Sequence, residues 1–374
     1  MKLHPLQRAI IRAIEPIPTG VSELVTPSPL EQGQVRMEEV VTGMLRSLHS
    51  EKPMVWDPWI VKDDDVYRLF YLQGVEGNVP WWTFSRIYGA ISKDLEHWQD
   101  LGLILDLQPD MPWESGRICA GCAYKEGDTL YLFYSAGGKE MPYLHNEAIG
   151  VATSTDGRHW QRHCDHYPLI PDEQNPWYGR CNWTGHFHWR DPYIFKDPKS
   201  DRYYMFICAS SKTPGNFQGC VGVAVADQIA GPYHILPPAL VTSPETAHDW
   251  AYYHMERPQV FYRYGKYHLF FSCFTVLMNP QWIDGKRSHR VTNSSLYWYV
   301  SDHVTGPYSP VDPDNFIVPG SERTGLYGTA FLQASPSSDE LIAYGWYHRL
   351  YTLEVGPTFR AVWTGVTQLT LQKW

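Results

Sequence analysis

One strand type recurs five times along the chain and constrains what it can fold into. The copies are VYRLFYL (66–72), TLYLFYSA (129–136), RYYMFICA (202–209), KYHLFFSC (266–273) and LIAYGWY (341–347). Each is short and aromatic or β-branched, and turn residues such as Asp, Gly or Lys usually precede it. Ahead of each lies a second short strand: DPWIV (57–61), AGCAY (120–124), DPYIF (191–195), RPQVF (257–261) and GTAFL (328–332). After each comes a third: RIYGAIS (86–92), AIGVATS (148–154), CVGVAVA (220–226), SLYWYVS (295–301) and, weakly, AVWTGVT (361–367). The turn-like segments KDLEHW, TDGRHW, DQIAGPY and DHVTGPY follow the first four. Matched antiparallel units repeating every ~60–75 residues, with no helix between them, are the pattern of radial closure. The expected fold is all-β, a five-bladed β-propeller. A sandwich would not produce five matched units.

Residues 1–50 read differently. Leu6 to Ile14 and Met37 to Leu48 carry apolar residues at helical spacing, separated by a Pro/Ser/Thr/Gly stretch from Pro16 to Gly33. The expected organisation is a short helical N-terminal arm over 1–50 and a propeller catalytic domain over 51–374. A soft prior of ~150 residues per domain allows two or three domains, but propellers run larger as one unit.

The formal net charge of −9 argues against a nucleic-acid partner, which needs a clustered basic face. No apolar run reaches the ~18 residues of a membrane span. The start, MKLHPLQRAIIRAIEPIP, lacks the features of a secretory signal. With 7 scattered cysteines, reduced thiols in a cytoplasmic protein are expected. The aromatic content of 15% suits a site where rings pack on sugar faces, and equally an aromatic β core.

The innermost strand of a blade lines the central channel, and its start lies at one mouth. Three such starts carry an acid: Asp57 in VWDPW, Asp191 in WRDPYIF and Glu256 in MERPQVF. A proline follows immediately or one residue on, which fixes φ and removes a donor where a strand begins. Three acids at equivalent positions of different blades converge on one pocket floor. Such convergence is costly unless protons or substrate compensate it. Glycoside cleavage uses it, with one carboxylate attacking carbon or activating water and another protonating the leaving oxygen. Asp-Pro turns that merely cap loops are the alternative.

These segments resemble the glycoside hydrolase clan of β-fructofuranosidases, invertases and levansucrases. YVSDHVTGPYSPV (299–311), LYGTAFLQ and LIAYGWYHR look closer to the levansucrase branch, while AISKDLEHWQDLG and ATSTDGRHW look invertase-like. The resemblance covers roughly residues 54–350 and implies a five-bladed propeller with three working acids. It implies that Asp57 is the nucleophile, Asp191 the transition-state stabiliser and Glu256 the acid/base, its pKa raised by burial and neighbouring negative charge. It places Trp56, Arg190, Arg257, His254, Cys119 and Tyr327 at the substrate, and Trp82 is a candidate stacking platform. The sequence also departs from the family. Cys119 and Ala120 replace an aromatic–serine pair on blade two, and His254 replaces a second acid before the Glu. The segment SCFTV, with Phe274, replaces an arginine after the blade-four strand. The catalytic acids are thus kept while the sugar contacts change, so the expected substrate is a furanoside other than sucrose.

The remaining motifs carry less. Cys119 and Cys122 form a CxxC without a second pair, so packing is expected rather than a metal. His186 and His188 suit a pocket rim. Asp63 to Asp65 read as a solvated hairpin turn, short of the oxygen ligands calcium needs. Asn182 and Asn293 open idle sequons, and no phosphate loop or dinucleotide fingerprint occurs. The expected protein is a retaining glycoside hydrolase or transglycosylase with no cofactor and a small carbohydrate or glycoside as partner. Two alternatives stay open: an inverting propeller glycosidase of the arabinanase/xylosidase type, and a propeller recruited to ligand binding or non-glycosidic chemistry.

Overall fold

The computed structural model describes residues 55–74, 84–182, 184–241, 251–286, 291–312, 316–333, 338–347 and 359–373. The expected helical arm lies outside the described residues, as does Trp82. The described strands form five antiparallel four-stranded sheets, each in simple sequence order. Blade one holds β1 (Val55–Asp63), β2 (Val66–Gly74), β3 (Ser85–Ser92) and β4 (Gln99–Leu105). Blade two holds β5 (Arg117–Glu126), β6 (Thr129–Gly137), β7 (Glu147–Ser154) and β8 (Gln161–Arg162). Blade three holds β9 (Trp189–Lys196), β10 (Tyr203–Ser210), β11 (Gly219–Ala226) and β12 (His234–Val241). Blade four holds β13 (Glu256–Arg263), β14 (Lys266–Ser272), β15 (Leu296–Ser301) and β16 (Ser309–Pro310). Blade five holds β17 (Leu326–Gln333), β18 (Glu340–Tyr347), β19 (Phe359–Gly365) and β20 (Gln368–Lys373). The fold is the five-bladed propeller that the repeats imply. The first strands of the blades touch in the order β1, β5, β9, β13, β17 and back to β1, which closes the ring.

The core lies between blades. β10 and β11 are buried along their whole length because neighbouring sheets cover both faces, so their sequences are continuously apolar rather than alternating. Between blades four and five, Phe261, Phe270, Trp298, Phe331 and Trp363 interlock with ring centroids from 5.2 Å to 6.4 Å apart. Edge-to-face contact brings the positive ring edge onto the negative face of the next ring.

The turn segments come in two kinds. After β3 and β7, Asp94 and Asp156 each accept a backbone N–H three residues on, from His97 and His159, at 2.8 Å. In blades three and four, Gly231 (φ 93°) and Gly306 (φ 82°) supply a left-handed residue that other side chains adopt only under strain.

Candidate active site

Every innermost strand carries one extra residue at the same place. The ladder pairs Trp56 with Leu72, Cys119 with Ser135, Arg190 with Cys208, Glu256 with Ser272 and Tyr327 with Trp346, then slips by one. The residues after these pairs are Asp57, Ala120, Asp191, Arg257 and Gly328. Four have left-handed backbone, with φ of 48°, 55° and 52° at Asp57, Asp191 and Arg257 and 59° at Gly328. For a residue with a Cβ this costs about 1–3 kcal/mol and persists where the surroundings enforce it.

This register corrects the equivalence expected of the three acids. Asp57 and Asp191 occupy the bulge, but Glu256 stands one residue earlier and Arg257 takes the bulge position in blade four. Glu256 therefore aligns with Trp56, Cys119, Arg190 and Tyr327. Two residues earlier in the chain lie Arg117, His188 and His254.

The acids are nevertheless brought together. Asp57 Oδ1 accepts the indole N–H of Trp346 at 3.0 Å, and Arg257 Nη1 stands 3.8 Å away. The Arg257 guanidinium also donates to the Pro58 carbonyl, spanning from blade four to blade one. Asp191 Oδ2 accepts the main-chain N–H of Arg257 at 3.1 Å. Glu256 Oε1 accepts Arg190 Nη2 at 2.9 Å, and its Oε2 accepts the Tyr327 hydroxyl. Arg190 is the hub of the wall. It also donates to Glu147 Oε2 at 3.1 Å and to His254 Nδ1 at 2.9 Å, it lies against His188 Nδ1, and its Nε lies 3.9 Å from Asp191. Phe274 stacks face to face on Tyr327, with centroids 3.6 Å apart.

Electrostatics divide the three acids. Burial pushes Asp57 up to about 6, with the Glu256 charge adding to it against Arg257 and the Trp346 hydrogen bond. Burial pushes Asp191 up to about 7, assisted by the Glu256 and Asp57 charges and opposed by Arg190. Glu256 goes the other way. Burial works to raise it, but His254, Arg190 and the Tyr327 hydroxyl outweigh burial and hold it below the usual carboxylate range. The raised pKa expected for Glu256 is thus corrected, because a guanidinium and a phenol face the carboxylate directly. Burial drives His254 down to about 3. It is neutral, and because Arg190 donates into Nδ1 its proton sits on Nε2, 3.4 Å from Glu256 Oε2. Arg190 is therefore the standing positive charge on Glu256.

Other expected site residues fall as follows. Trp56 is buried in an aromatic cluster with Tyr327 and Trp346. Cys119 is half-buried beside Asp191, and burial pushes its thiol up to about 12, so it is neutral. Cys122 points into the core, where its sulfur accepts the Ile194 N–H. His188 is not a rim residue as expected but lies inside the wall, its Nε2 3.1 Å from the Tyr253 hydroxyl. His186 is half-buried and pairs with His145 at 3.1 Å. Arg117, Glu147 and Trp346 were not read from the sequence as site residues. Aligning the five inner strands on their bulges would have flagged Arg117; Glu147 and Trp346 lie on other strands and left no motif.

A five-bladed propeller whose inner strands gather a half-buried and a buried aspartate and a glutamate on arginine scaffolding is a framework for glycoside chemistry. The comparisons agree. The family model of glycosyl hydrolases family 43 matches residues 53–354, and the chain belongs to that family. Over 204 residues it is 27% identical to a levansucrase of Rahnella aquatilis, a match taking in 45% of this chain and 44% of that protein. It thus spans less than half the length of that curated relative. Over 100 residues it is 34% identical to an extracellular endo-α-(1→5)-L-arabinanase of Thermotoga petrophila, covering 25% of this chain and 20% of that one. Among solved structures, the fold is similar to the inulosucrase from Halalkalicoccus jeotgali bound to kestose. That pair shares 18% identity with a TM-score of 0.64, over 93% of this chain and 92% of the other. Bacillus subtilis levansucrase is also similar, at 16% identity and a TM-score of 0.62, covering 87% of each chain.

Proposed function

We propose that this family 43 enzyme cleaves or transfers the glycosidic bond of a furanoside, with a β-fructofuranoside as the substrate type. In this reading Asp57 attacks the anomeric carbon, Glu256 protonates the leaving oxygen and then deprotonates water or acceptor, and Asp191 stabilises the oxocarbenium-like state. The observation that carries the reading is the linkage of the three acids through two arginines. Arg257 bridges Asp57 and Asp191, and Arg190 bridges Asp191 and Glu256. The levansucrase relatives support the fructosyl assignment. Asp57 must be ionised to attack, which a range near 6 allows at neutral pH. Glu256 must carry a proton, and Asp191, with a range near 7, is the nearby group able to yield one when substrate binds.

The family 43 match and the arabinanase relative favour a second reading, an inverting furanosidase in which Asp57 activates water instead. One experiment tests both. The first-formed anomer is followed by NMR during turnover of kestose and of an aryl α-L-arabinofuranoside, with Asp57→Ala as control. Retention on kestose supports the first reading, and inversion supports the second. No turnover of either, in enzyme that is folded, returns the fold to a binding role.

A further inference from the structure

Three arginines stand in the site wall, and two of them donate hydrogen bonds there, although Arg257 Nη1 finds none among the described residues. Arg190 donates to Glu147, His254 and Glu256, and Arg257 donates to Pro58 and lies against Asp57. Arg117 differs. It opens β5, two residues out from Cys119, so it lies on the same side of the strand as the pocket wall. Its side chain is only 11% exposed, yet among the described residues its guanidinium makes no hydrogen bond. Its one ion pair, to Glu147, is 3.7 Å long, beyond hydrogen-bond reach. Glu147 is at the same time spoken for by Arg190 at 3.1 Å.

An arginine has five donors in a planar fork, and on this nearly buried side chain they stay open to an incoming acceptor. The fork fits a phosphate or carboxylate two oxygens at a time. The surroundings suit such a guest. Gly137 leaves the guanidinium room, since a Cβ there would lie 2.5 Å from Arg117 Cζ. His186 and His145, half-buried and 3.1 Å apart, stand nearby and offer further donors. Ala120 and Cys119, the adjoining residues, bring no hydroxyl to hold a neutral sugar.

We propose that the sugar cleaved here carries an anionic group, a phosphate or a carboxylate, received by Arg117. This rests on the furanosidase reading and narrows its substrate. The group belongs on the glycone. Glu256, which serves the leaving oxygen, is on blade four, and Arg117 is on blade two with blade three between them.

The test compares 4-nitrophenyl β-D-fructofuranoside with its 6-phosphate and its 6-carboxylate, using wild type, Arg117→Met and Arg117→Lys. One anionic substrate should exceed the neutral parent at least tenfold in kcat/KM. Arg117→Met should erase that preference by about tenfold to a hundredfold, chiefly through KM, and Arg117→Lys should keep part of it. Which anionic substrate gains tells phosphate from carboxylate. Calorimetric titration of each protein with inorganic phosphate and with acetate gives a readout independent of turnover. Turnover of the neutral glycoside without preference for either anionic one overturns the inference and leaves the furanosidase reading standing. If no glycoside is cleaved, the furanosidase reading falls and the substrate assignment with it, while anion binding that disappears in Arg117→Met still marks Arg117 as the anion site. Anion binding that is absent, or equal in wild type and Arg117→Met, overturns it.

Discussion

The main-chain N–H of Arg257 donates to Asp191 Oδ2 at 3.1 Å, so the bulge of blade four hangs on the acid of blade three. The Asp191 N–H in turn donates to Ser135 Oγ of blade two at 3.3 Å. Glu256 precedes Arg257 in the chain. Asp191 therefore positions the glutamate through the chain.

Asp191→Asn and Asp191→Ala should separate these roles. Asparagine keeps an acceptor for the Arg257 N–H, whereas alanine leaves it buried and unpaired at a cost of about 1–3 kcal/mol. The pH dependence has a definite sign. Burial raises Asp191 to about 7, so its stabilising contribution is present in acid and lost as pH rises through that range. Asp191→Asn should then melt a few degrees above wild type at pH 8, with the difference smaller at pH 5 and vanishing toward the ordinary aspartate value. Asp191→Ala should melt below wild type at both. Both should lose activity. Thermal denaturation at the two pH values checks this, and equal Tm shifts at pH 5 and pH 8 would contradict the buried-charge account.

Glu256→Gln should slow substrates with poor leaving groups by about 10²–10⁴-fold and activated aryl glycosides far less, because a proton matters most to a reluctant leaving group. Asp57→Asn should abolish both. Equal loss on both substrate types in Glu256→Gln would show that Glu256 is not the acid.

Tyr327 was expected at the substrate, but it is buried under Phe274 and gives its hydroxyl to Glu256. That bond favours the ionised glutamate. Tyr327→Phe keeps the stacking and removes the donor, so the Glu256 pKa should rise. A group held low contributes stability above its ordinary value and loses it as pH falls, so this variant should be the less sensitive to acid. Because Glu256 titrates below Asp57, the acidic limb of kcat/KM should move to higher pH. An unmoved profile would mean that the hydroxyl does not set the acid's proton affinity.

Sucrose should be a poor substrate. Cys119 and Ala120 present no hydroxyl, His254 is neutral and committed to Arg190, and Phe274 packs on Tyr327 instead of reaching for sugar. Two lost contacts correspond to about a hundredfold or more. A kcat/KM on sucrose at or above about 10⁴ M⁻¹s⁻¹ would refute this reading of the pocket.

The blades were legible because an aromatic strand repeats at near-constant intervals, and nothing but packing against a neighbouring blade explains TLYLFYSA and KYHLFFSC together. Asp57 and Asp191 were legible because a proline follows each and fixes the strand's start. The one-residue offset of Glu256 was not. A bulge is a property of the ladder, and only the pairing of Glu256 with Ser272 and then Gln259 with Phe270 reveals it. The charge state of Glu256 was equally hidden. Arg190 and His254 were both in view, but whether they outweigh burial depends on a 2.9 Å contact and on where the histidine proton sits. Glu147, 43 residues before Arg190 in the chain, left no local signal at all.

The bulge is a socket repeated five times, and its occupants are independent of the framework that holds them. Blades one, three and four fill it with Asp57, Asp191 and Arg257, while blade two holds Ala120, buried in an apolar cluster. Blade five is different. A Cβ at Gly328 would lie 3.0 Å from Arg257 Cδ, so that socket is blocked by the arginine of its neighbour. A protein built this way can change its chemistry by exchanging one side chain per blade. At blade two a larger group would first have to displace the packing around Ala120, and at blade five any gain requires Arg257 to move.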